Sequence, residues 1–151
     1  MIFPYQSIIT QAPVGDDYLL IYRPEIPITV GGPKGEAIQI GLVDTGSDNT
    51  ILPKSVADEL GISLRPTSGP PSNVFGGHRV QLLIGDVHLT LKAGNGSLSW
   101  RTQVYFFGFA STEDETVILG HSGFLDYFTA TFDGKYGVLT LTPNDELPVA
   151  E

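Results

Sequence analysis

The chain has 151 residues, of which 41% are hydrophobic, so it is long enough to bury a core, and we expect one domain spanning residues 1–151. Asp and Glu number 17 against 8 Lys and Arg, and the formal net charge of -9 argues against a nucleic-acid or anionic-membrane partner. The absence of cysteine excludes disulfides, thiolate catalysis and cysteine-based zinc sites.

The N-terminal segment, residues 1–13, is polar and has neither a basic region nor a long apolar stretch, so the sequence predicts no secretory signal. No apolar run approaches the length of a transmembrane helix. We therefore expect a cytoplasmic protein with no membrane partner.

Most apolar runs are short, lie between Gly and Pro residues, and are rich in Val, Ile, Thr, Tyr and Phe, which predicts β-strands. In one run Val87, Leu89 and Leu91 alternate with His88 and Thr90, as a half-buried strand requires. The predicted strands are Tyr18–Tyr22, Ile26–Val30, Ala37–Val43, Arg79–Ile84, Val87–Lys92, Trp100–Phe107, Phe128–Phe132 and Val138–Thr142.

Short turns and two short helices separate these strands. Gly85-Asp86 and Asp133-Gly134 are typical of hairpin turns, in which the backbone φ becomes positive. Helices are predicted over Lys54–Leu60 and over His121–Tyr127. Together these elements predict an all-β barrel or sandwich with two short helices.

Two segments share a pattern. Ile40–Gly46 is an apolar strand that runs into a glycine turn and is followed by a predicted helix. Val117–Gly120 repeats the same order: an apolar strand, a glycine and then a predicted helix. Such a similarity also arises by chance in β proteins, so its weight depends on the chemistry of the first segment.

The segment most informative about chemistry begins at Asp44. This residue directly follows an apolar strand, which carries a carboxylate toward a dry environment where it is costly unless paired. Thr45 and Gly46 predict a tight turn in which backbone N–H groups approach the carboxylate, and Ser47 adds a hydroxyl donor. The pattern predicts a single carboxyl held rigidly at the bottom of a cleft.

Three segments, in order, resemble the aspartic peptidases. Asp44-Thr45-Gly46-Ser47 resembles their active-site loop, and Val117-Ile118-Leu119-Gly120 resembles their second apolar-apolar-glycine element. Val74-Phe75-Gly76-Gly77 lies where the family has its flap hairpin. The order and spacing are similar to those of the single-domain, retropepsin-like members over residues 18–142. The resemblance implies a closed acid-protease barrel with one or two short helices, homodimeric assembly and aspartic endopeptidase activity.

The implied mechanism agrees with elementary electrostatics. Two carboxyls held close together cannot both ionise, so they share a proton. The ionised member takes a proton from a water molecule, which attacks the scissile carbonyl while the protonated member donates to the carbonyl oxygen. Because the chain has one Asp-Thr-Gly, the second carboxyl must be Asp44 of another copy, related by a two-fold axis. No cofactor is implied, and the histidines lack the spacing of a metal site.

The resemblance also implies a role for each site residue. Asp44 is the catalytic acid and base, Thr45 braces the paired loops, and Gly46 positions the substrate through its backbone. Substrate binding is implied for Ser47, Asp48 and the flap residues Val74, Phe75, Gly76 and Gly77. A structural second loop is implied for Ile118, Leu119, Gly120 and His121.

Three features differ from the retroviral members. Ser47 stands where they carry alanine, and a hydroxyl donated to Asp44 would lower the pKa of the carboxyl pair. His121 stands where they carry arginine, so it either pairs with Asp48 or caps the short helix through its backbone. The C-terminal residues 128–141 resemble the final hairpin of a pepsin-like lobe. This hairpin predicts a dimer sealed mainly by C-terminal hairpins, with a smaller part for the N-terminal segment.

The sequence is compatible with three functions. The first is an endopeptidase whose partner is an extended polypeptide substrate. The second is a non-catalytic dimer that binds peptides or proteins on the same fold, although a pure binder has no reason to keep a costly acid pair. The third is a selective processing peptidase that cuts its own precursor or one partner. Outside the motifs, Trp100 and residues 105–107 are predicted to serve packing.

Overall fold

Strands make up most of the chain. The computed structural model describes residues 1–69, 72–74, 78–107 and 116–148, and for 72–74 and 78–80 it describes the backbone alone. The strands are β1 (Ile2–Pro4), β2 (Gln6–Gln11), β3 (Tyr18–Arg23), β4 (Glu25–Gly32), β5 (Gly35–Val43), β6 (Ile51–Leu52), β7 (Arg65–Pro66), β8 (Ser72–Val74), β9 (His78–Val80), β10 (Leu82–Ala93), β11 (Gly96–Phe107), β12 (Val117–Leu119), β13 (Phe128–Asp133) and β14 (Val138–Pro143). The helices are α1 (Lys54–Leu60) and a 3-10 helix (Leu125–Tyr127).

The main sheet closes on itself as a six-strand barrel. Its strands follow the order β11, β6, β12, β5, β4 and β10, and β10 pairs with β11 to complete the ring. Strand β7 adds to the edge of β10. Most neighbours are antiparallel, but β5 with β12 and β6 with β11 are parallel. The all-β fold class is therefore confirmed, and it takes the barrel form.

Alternating side chains fill the barrel. Along β10, Val87, Leu89 and Leu91 are buried while Asp86 is exposed, as the sequence pattern predicted. The inward side chains of β4, β10 and β11 form one core with Val56, Ala57 and Leu60 of α1. Burial of this apolar surface is the main force that closes the sheet.

The predicted turn at Gly85-Asp86 is wrong. Strand β10 continues straight through both residues, and its turn to β11 lies at residues 94–95, where Gly94 has a φ of 56°. Gly85 is needed for close packing, because an added Cβ would lie 2.9 Å from Ile62 Cγ2 and 3.1 Å from Phe106 Cε2. A glycine in an apolar run thus marked a crowded position and not a reversal of the chain.

The predicted C-terminal hairpin forms a second, three-stranded sheet. Strands β13 and β14 pair as expected, and Asp133 Oδ1 accepts two backbone hydrogen bonds in the turn, whose positive φ lies at Gly137 and not at Gly134. The N-terminal strand β1, which was not predicted, pairs with β14, and Phe3 is buried. The N-terminal segment is therefore part of the same sheet as the C-terminal hairpin.

The two predicted helices differ in outcome. Helix α1 has the predicted bounds and ends at Gly61, whose φ is 68°. The second helix is shorter than predicted, because Gly123 has a φ of 89° and Phe124 is not helical, so only Leu125–Tyr127 forms a 3-10 turn. Within the described residues, neither helix is long and apolar enough to cross a membrane.

Trp100 packs the core, as predicted. Its side chain is buried, and its ring centroid lies 5.6 Å from that of Phe128 and 6.0 Å from that of Phe124. Its indole Nε1–H donates to the carbonyl of Gly123 over 3.2 Å. The residue therefore joins β11 to the segment that follows Gly120.

We expect Trp100→Phe to lower the free energy of unfolding by about 1–3 kcal/mol, because the buried Gly123 carbonyl loses its donor. Urea denaturation followed by circular dichroism measures the change. The exposed control Tyr136→Phe should lie within about 0.5 kcal/mol of wild type. Equal stability of Trp100→Phe and wild type would show that this hydrogen bond contributes nothing.

A surface ion pair links β7 to β10. Arg65 Nη1 lies 3.1 Å from Asp86 Oδ2, and hydrogen bonds from Arg65 and then Gln103 lower the pKa of the Asp86 carboxyl. A lowered folded-state pKa contributes stability above the unfolded-state pKa, and this contribution disappears as pH falls through the folded-state value. Because both groups are exposed, we expect Asp86→Asn to cost at most about 0.5 kcal/mol at neutral pH. Thermal melts should show this difference vanishing in acid, and a difference that grows in acid would contradict the pairing.

Candidate active site

The Asp44 loop begins where β5 leaves the barrel. Val43 is the last residue of the strand, and the half-buried Asp44 is the first residue beyond it. The backbone N–H of Gly46 donates to Asp44 Oδ1 over 2.8 Å, and the N–H of Ser47 donates to the Asp44 carbonyl over 3.2 Å. The loop therefore turns tightly and holds one carboxylate oxygen, as the sequence predicted.

Strand β12 lies directly beside the strand that carries Asp44. The two run parallel, with Ile118 opposite Leu42 and Leu119 opposite Val43. The Asp44 N–H donates to the Leu119 carbonyl over 3.0 Å. The two segments that share a sequence pattern are thus neighbours in space, and the buried β12 fixes the position at which Asp44 leaves the sheet.

Gly120 lies against the backbone of the Asp44 loop. A Cβ at this position would come within 2.3 Å of the Asn49 carbonyl oxygen and 2.6 Å of the Ser47 carbonyl oxygen. Two hydrogen bonds flank this contact: His121 N–H donates to Ser47 O over 3.0 Å, and Ser122 N–H donates to Asp48 O over 2.9 Å. Only glycine permits this approach, which locks the second loop to the first.

The side chain of His121 does not pair with Asp48. Its Nε2 lies 3.0 Å from the carbonyl oxygen of Thr45, so the ring donates an N–H to the loop backbone. Its Nδ1 lies 3.7 Å from Asp126 Oδ1. The His121 carbonyl accepts the N–H groups of Phe124 and Asp126 at the start of the 3-10 turn. The backbone-capping interpretation is therefore the one that the structure supports, and the side chain adds a link that the sequence did not reveal.

Ser47 directs its hydroxyl away from the carboxylate. Its Oγ donates to the Asn49 carbonyl over 2.7 Å, and a hydroxyl has a single proton to donate. The prediction that the Ser47 hydroxyl donates to Asp44 is therefore wrong. In this structure Ser47 shapes the turn.

Three residues that sequence reasoning missed hold the far side of the loop. Asn49 forms an isolated parallel bridge with Ser122, and Thr50 N–H donates to the Ser122 carbonyl over 3.1 Å. The Thr50 carbonyl accepts the N–H of Tyr105 on β11 over 3.0 Å. These are mainly backbone contacts, so the residue types gave no signal for them.

The predicted flap falls only partly within the described residues. Strands β8 and β9 form an antiparallel hairpin in which Val74 lies opposite His78. Phe75, Gly76 and Gly77 lie outside the described residues. The two strands that flank the predicted flap are thus paired in the backbone, and the role of the flap tip stays a prediction.

Other parts of the surface offer different chemistry. A groove of about 930 Å³ lies across β4, β5, β10 and β11, is lined by Glu36, His88 and Arg101 among others, and includes none of the predicted site residues. Within the part of the chain that the structure describes, no group of three His, Asp or Glu side chains is placed to hold a metal ion. The Asp44 loop, which its hydrogen bonds hold in a fixed conformation, therefore remains the candidate site.

No family model matches the chain, and no curated protein matches it. Among solved structures, the chain is similar to EIAV protease complexed with the inhibitor HBY-793, at 20% sequence identity and a TM-score of 0.44, over 66% of this chain and 82% of that chain.

Proposed function

We propose that the protein is an aspartic endopeptidase that hydrolyses extended polypeptides through a water molecule activated by two Asp44 residues of a homodimer. The observation that carries this proposal is the geometry of the Asp44 loop. One carboxylate oxygen accepts the Gly46 N–H at 2.8 Å, while the loop backbone is fixed by β12 and by Gly120. A rigid carboxyl is what general acid–base chemistry requires, because catalysis depends on its position relative to the reacting atoms.

The exposure of the loop favours pairing with a second copy. Asp44 is half-buried in the single chain, and Thr45 and Gly46 are exposed. The sequence contains one Asp-Thr-Gly, so a second carboxyl of the same kind comes from another chain. A two-fold axis through the two loops would bring the carboxyls together and cover Thr45 and Gly46.

In this dimer each carboxyl has a defined task. The two share one proton, because like charges at close range cannot both be ionised. The ionised Asp44 accepts a proton from the water molecule as the water attacks the peptide carbonyl, and the protonated Asp44 donates to the carbonyl oxygen. Collapse of the tetrahedral intermediate then breaks the C–N bond, with a proton passed to the leaving amine.

The neighbouring residues have supporting roles. Gly120 and His121 position the loop through the contacts with Ser47 and Thr45 described above. Ser47 and Asp48 border the space where a substrate backbone would lie. The predicted flap, which β8 and β9 flank, would close over the peptide and exclude water, as active-site lids do.

A diverse peptide library tests the proposal. The wild-type protein should cleave internal peptide bonds at one or more pH values, with new termini identified by mass spectrometry. Binding of library peptides without any cleavage, at every pH and protein concentration tested, would refute the peptidase and favour the non-catalytic peptide-binding dimer.

The stoichiometry of inhibition tests the paired site separately. A peptide whose scissile carbonyl is replaced by a secondary alcohol mimics the tetrahedral intermediate and should bind tightly if the site is catalytic. Calorimetric titration should give one inhibitor for every two chains. A ratio of one inhibitor for every chain would contradict the shared site.

A further inference from the structure

The hairpin formed by β2 and β3 projects from the barrel as an arm, defined here as residues 6–23. Among the residues that the structure describes, its two strands pair only with each other, from Gln6 opposite Arg23 to Gln11 opposite Tyr18. None of its residues belongs to the hydrophobic core of the described chain. A two-stranded hairpin alone is at best marginally stable in water, so the arm needs a covering surface.

One face of the arm is strongly apolar and open to solvent. Because directly paired residues share a face, Ile9, Leu20 and Tyr22 lie together with Tyr18. Their exposed fractions are 73% for Ile9, 56% for Leu20, 60% for Tyr22 and 76% for Tyr18. Contiguous exposed apolar side chains of this size mark an interaction surface.

A second apolar surface lies on the outer side of β4 and β5, and we call it the outer strip. Ile38 and Ile40 are 72% and 53% exposed, and Pro27, opposite Ile40, is exposed as well. On the same side of β5, Leu42 is half-buried. The outer strip therefore leads along β5 toward Asp44, two residues beyond Leu42.

The arm and the outer strip both begin next to the Asp44 loop. The arm ends at Arg23, which pairs with Glu25 across Pro24, and the Pro24 carbonyl accepts the N–H of Val43 over 2.9 Å. Each strand of the arm has six residues, so the arm reaches about 20 Å from this base. The arm leaves the outer strip of its own chain uncovered, since Ile38 and Ile40 remain exposed.

We propose that the arm is a dimerisation element whose apolar face packs on the outer strip of a second copy of this chain, reciprocally across the two-fold axis. This inference rests on the proposed function, which places that axis at Asp44. The occupant is a second copy because one chain presents both complementary surfaces, and because both lie beside a loop that is incomplete without its partner. This reciprocal packing covers the arm and the outer strip of both copies and holds the paired Asp44 loops together.

Photo-crosslinking tests the contact directly. A photoreactive phenylalanine analogue at position 20 of unlabelled full-length chain is mixed with 15N-labelled wild type and irradiated. Mass spectrometry should find crosslinks from position 20 to labelled peptides that contain Ile38 and Ile40. Crosslinks confined to the same chain, or directed elsewhere on the partner, would overturn the proposal.

Dimer dissociation, measured by sedimentation, tests how much the contact between the arm and the outer strip stabilises the dimer. Tyr18→Ser, Leu20→Ser and Ile40→Ser should each raise the dissociation constant by about tenfold or more, as removal of an interface anchor does. The control Asp58→Ser changes an exposed residue of α1, which belongs to neither surface, and should not change it. These positions are exposed, so thermal melts should show folded variants, and unchanged dimerisation in all three would overturn the proposal.

The outcomes separate this inference from the proposed function. Inter-copy crosslinks without peptide cleavage support the arm and refute the peptidase. Cleavage by a dimer whose affinity does not depend on the arm supports the peptidase and refutes the arm. Flotation of the wild type with phosphatidylcholine vesicles, abolished by Tyr18→Ser and without inter-copy crosslinks, would assign the arm to a membrane instead.

Discussion

Replacing Asp44 by asparagine should lower kcat/KM for peptide hydrolysis by at least about a thousandfold, as removal of a catalytic acid or base does. The amide keeps an oxygen that accepts the Gly46 N–H, so the loop can retain its shape. It could not accept a proton from water or hold the proton that the proposed pair shares, so we expect the chemical step to be lost. Initial rates on a peptide cleaved by the wild type measure the change.

A matched control separates this effect from a general loss of charge. Asp58 is an exposed carboxylate on α1 whose partner is Lys54, with Nζ 2.9 Å from Oδ1. Asp58→Asn should leave the rate unchanged and alter stability by less than about 0.5 kcal/mol. Equal rates for Asp44→Asn and wild type would remove Asp44 from the mechanism.

Replacing Gly120 by alanine should disturb both the fold and the site. The added Cβ would lie 2.3 Å from a backbone oxygen of Asn49, and backbone cannot rotate away as a flexible side chain can. We expect a loss of about 3 kcal/mol in the free energy of unfolding, at the upper end of overpacking costs. The hydrogen bond from His121 N–H to Ser47 must also lengthen, so hydrolysis should fall sharply. Urea denaturation and initial rates measure the two effects.

Gly134→Ala is the matched control, because a Cβ at Gly134 would meet no atom within 4 Å. Its stability should lie within about 0.5 kcal/mol of wild type. A Gly120→Ala variant as stable and active as Gly134→Ala would show that the close approach of the two loops is not required.

The sequence predicted the central strands because their signal is local. The alternation in Val87–Leu91 and the apolar run into Asp44 each reflect burial on one side of a strand, and the structure has both. Strand β1 was missed because Ile2–Pro4 is short and contains proline, and its partner β14 lies at the other end of the chain. Pairing over such a separation leaves no pattern within the segment itself.

The geometry of the Asp44 loop was predicted in outline for the same reason. Asp44, Gly46 and Gly120 carry a signal because their chemistry or their lack of a side chain is required at one position. The partners of Ser47 and His121 were not predictable, since each side chain had several acceptors within reach and the fold selected among them. Gly85 was wrongly predicted to form a turn, because glycine is favoured both in turns and at crowded positions within strands.

The most direct test of the paired Asp44 is a mixing experiment. Wild-type chain is equilibrated with a roughly ninefold excess of Asp44→Asn chain, and the rate of peptide hydrolysis per wild-type chain is measured. If two Asp44 residues form one site, nearly all wild-type chains enter inactive mixed dimers, and the rate per wild-type chain should fall about tenfold. A rate per wild-type chain that does not change with excess Asp44→Asn would show that each Asp44 works without a partner, and would contradict the account.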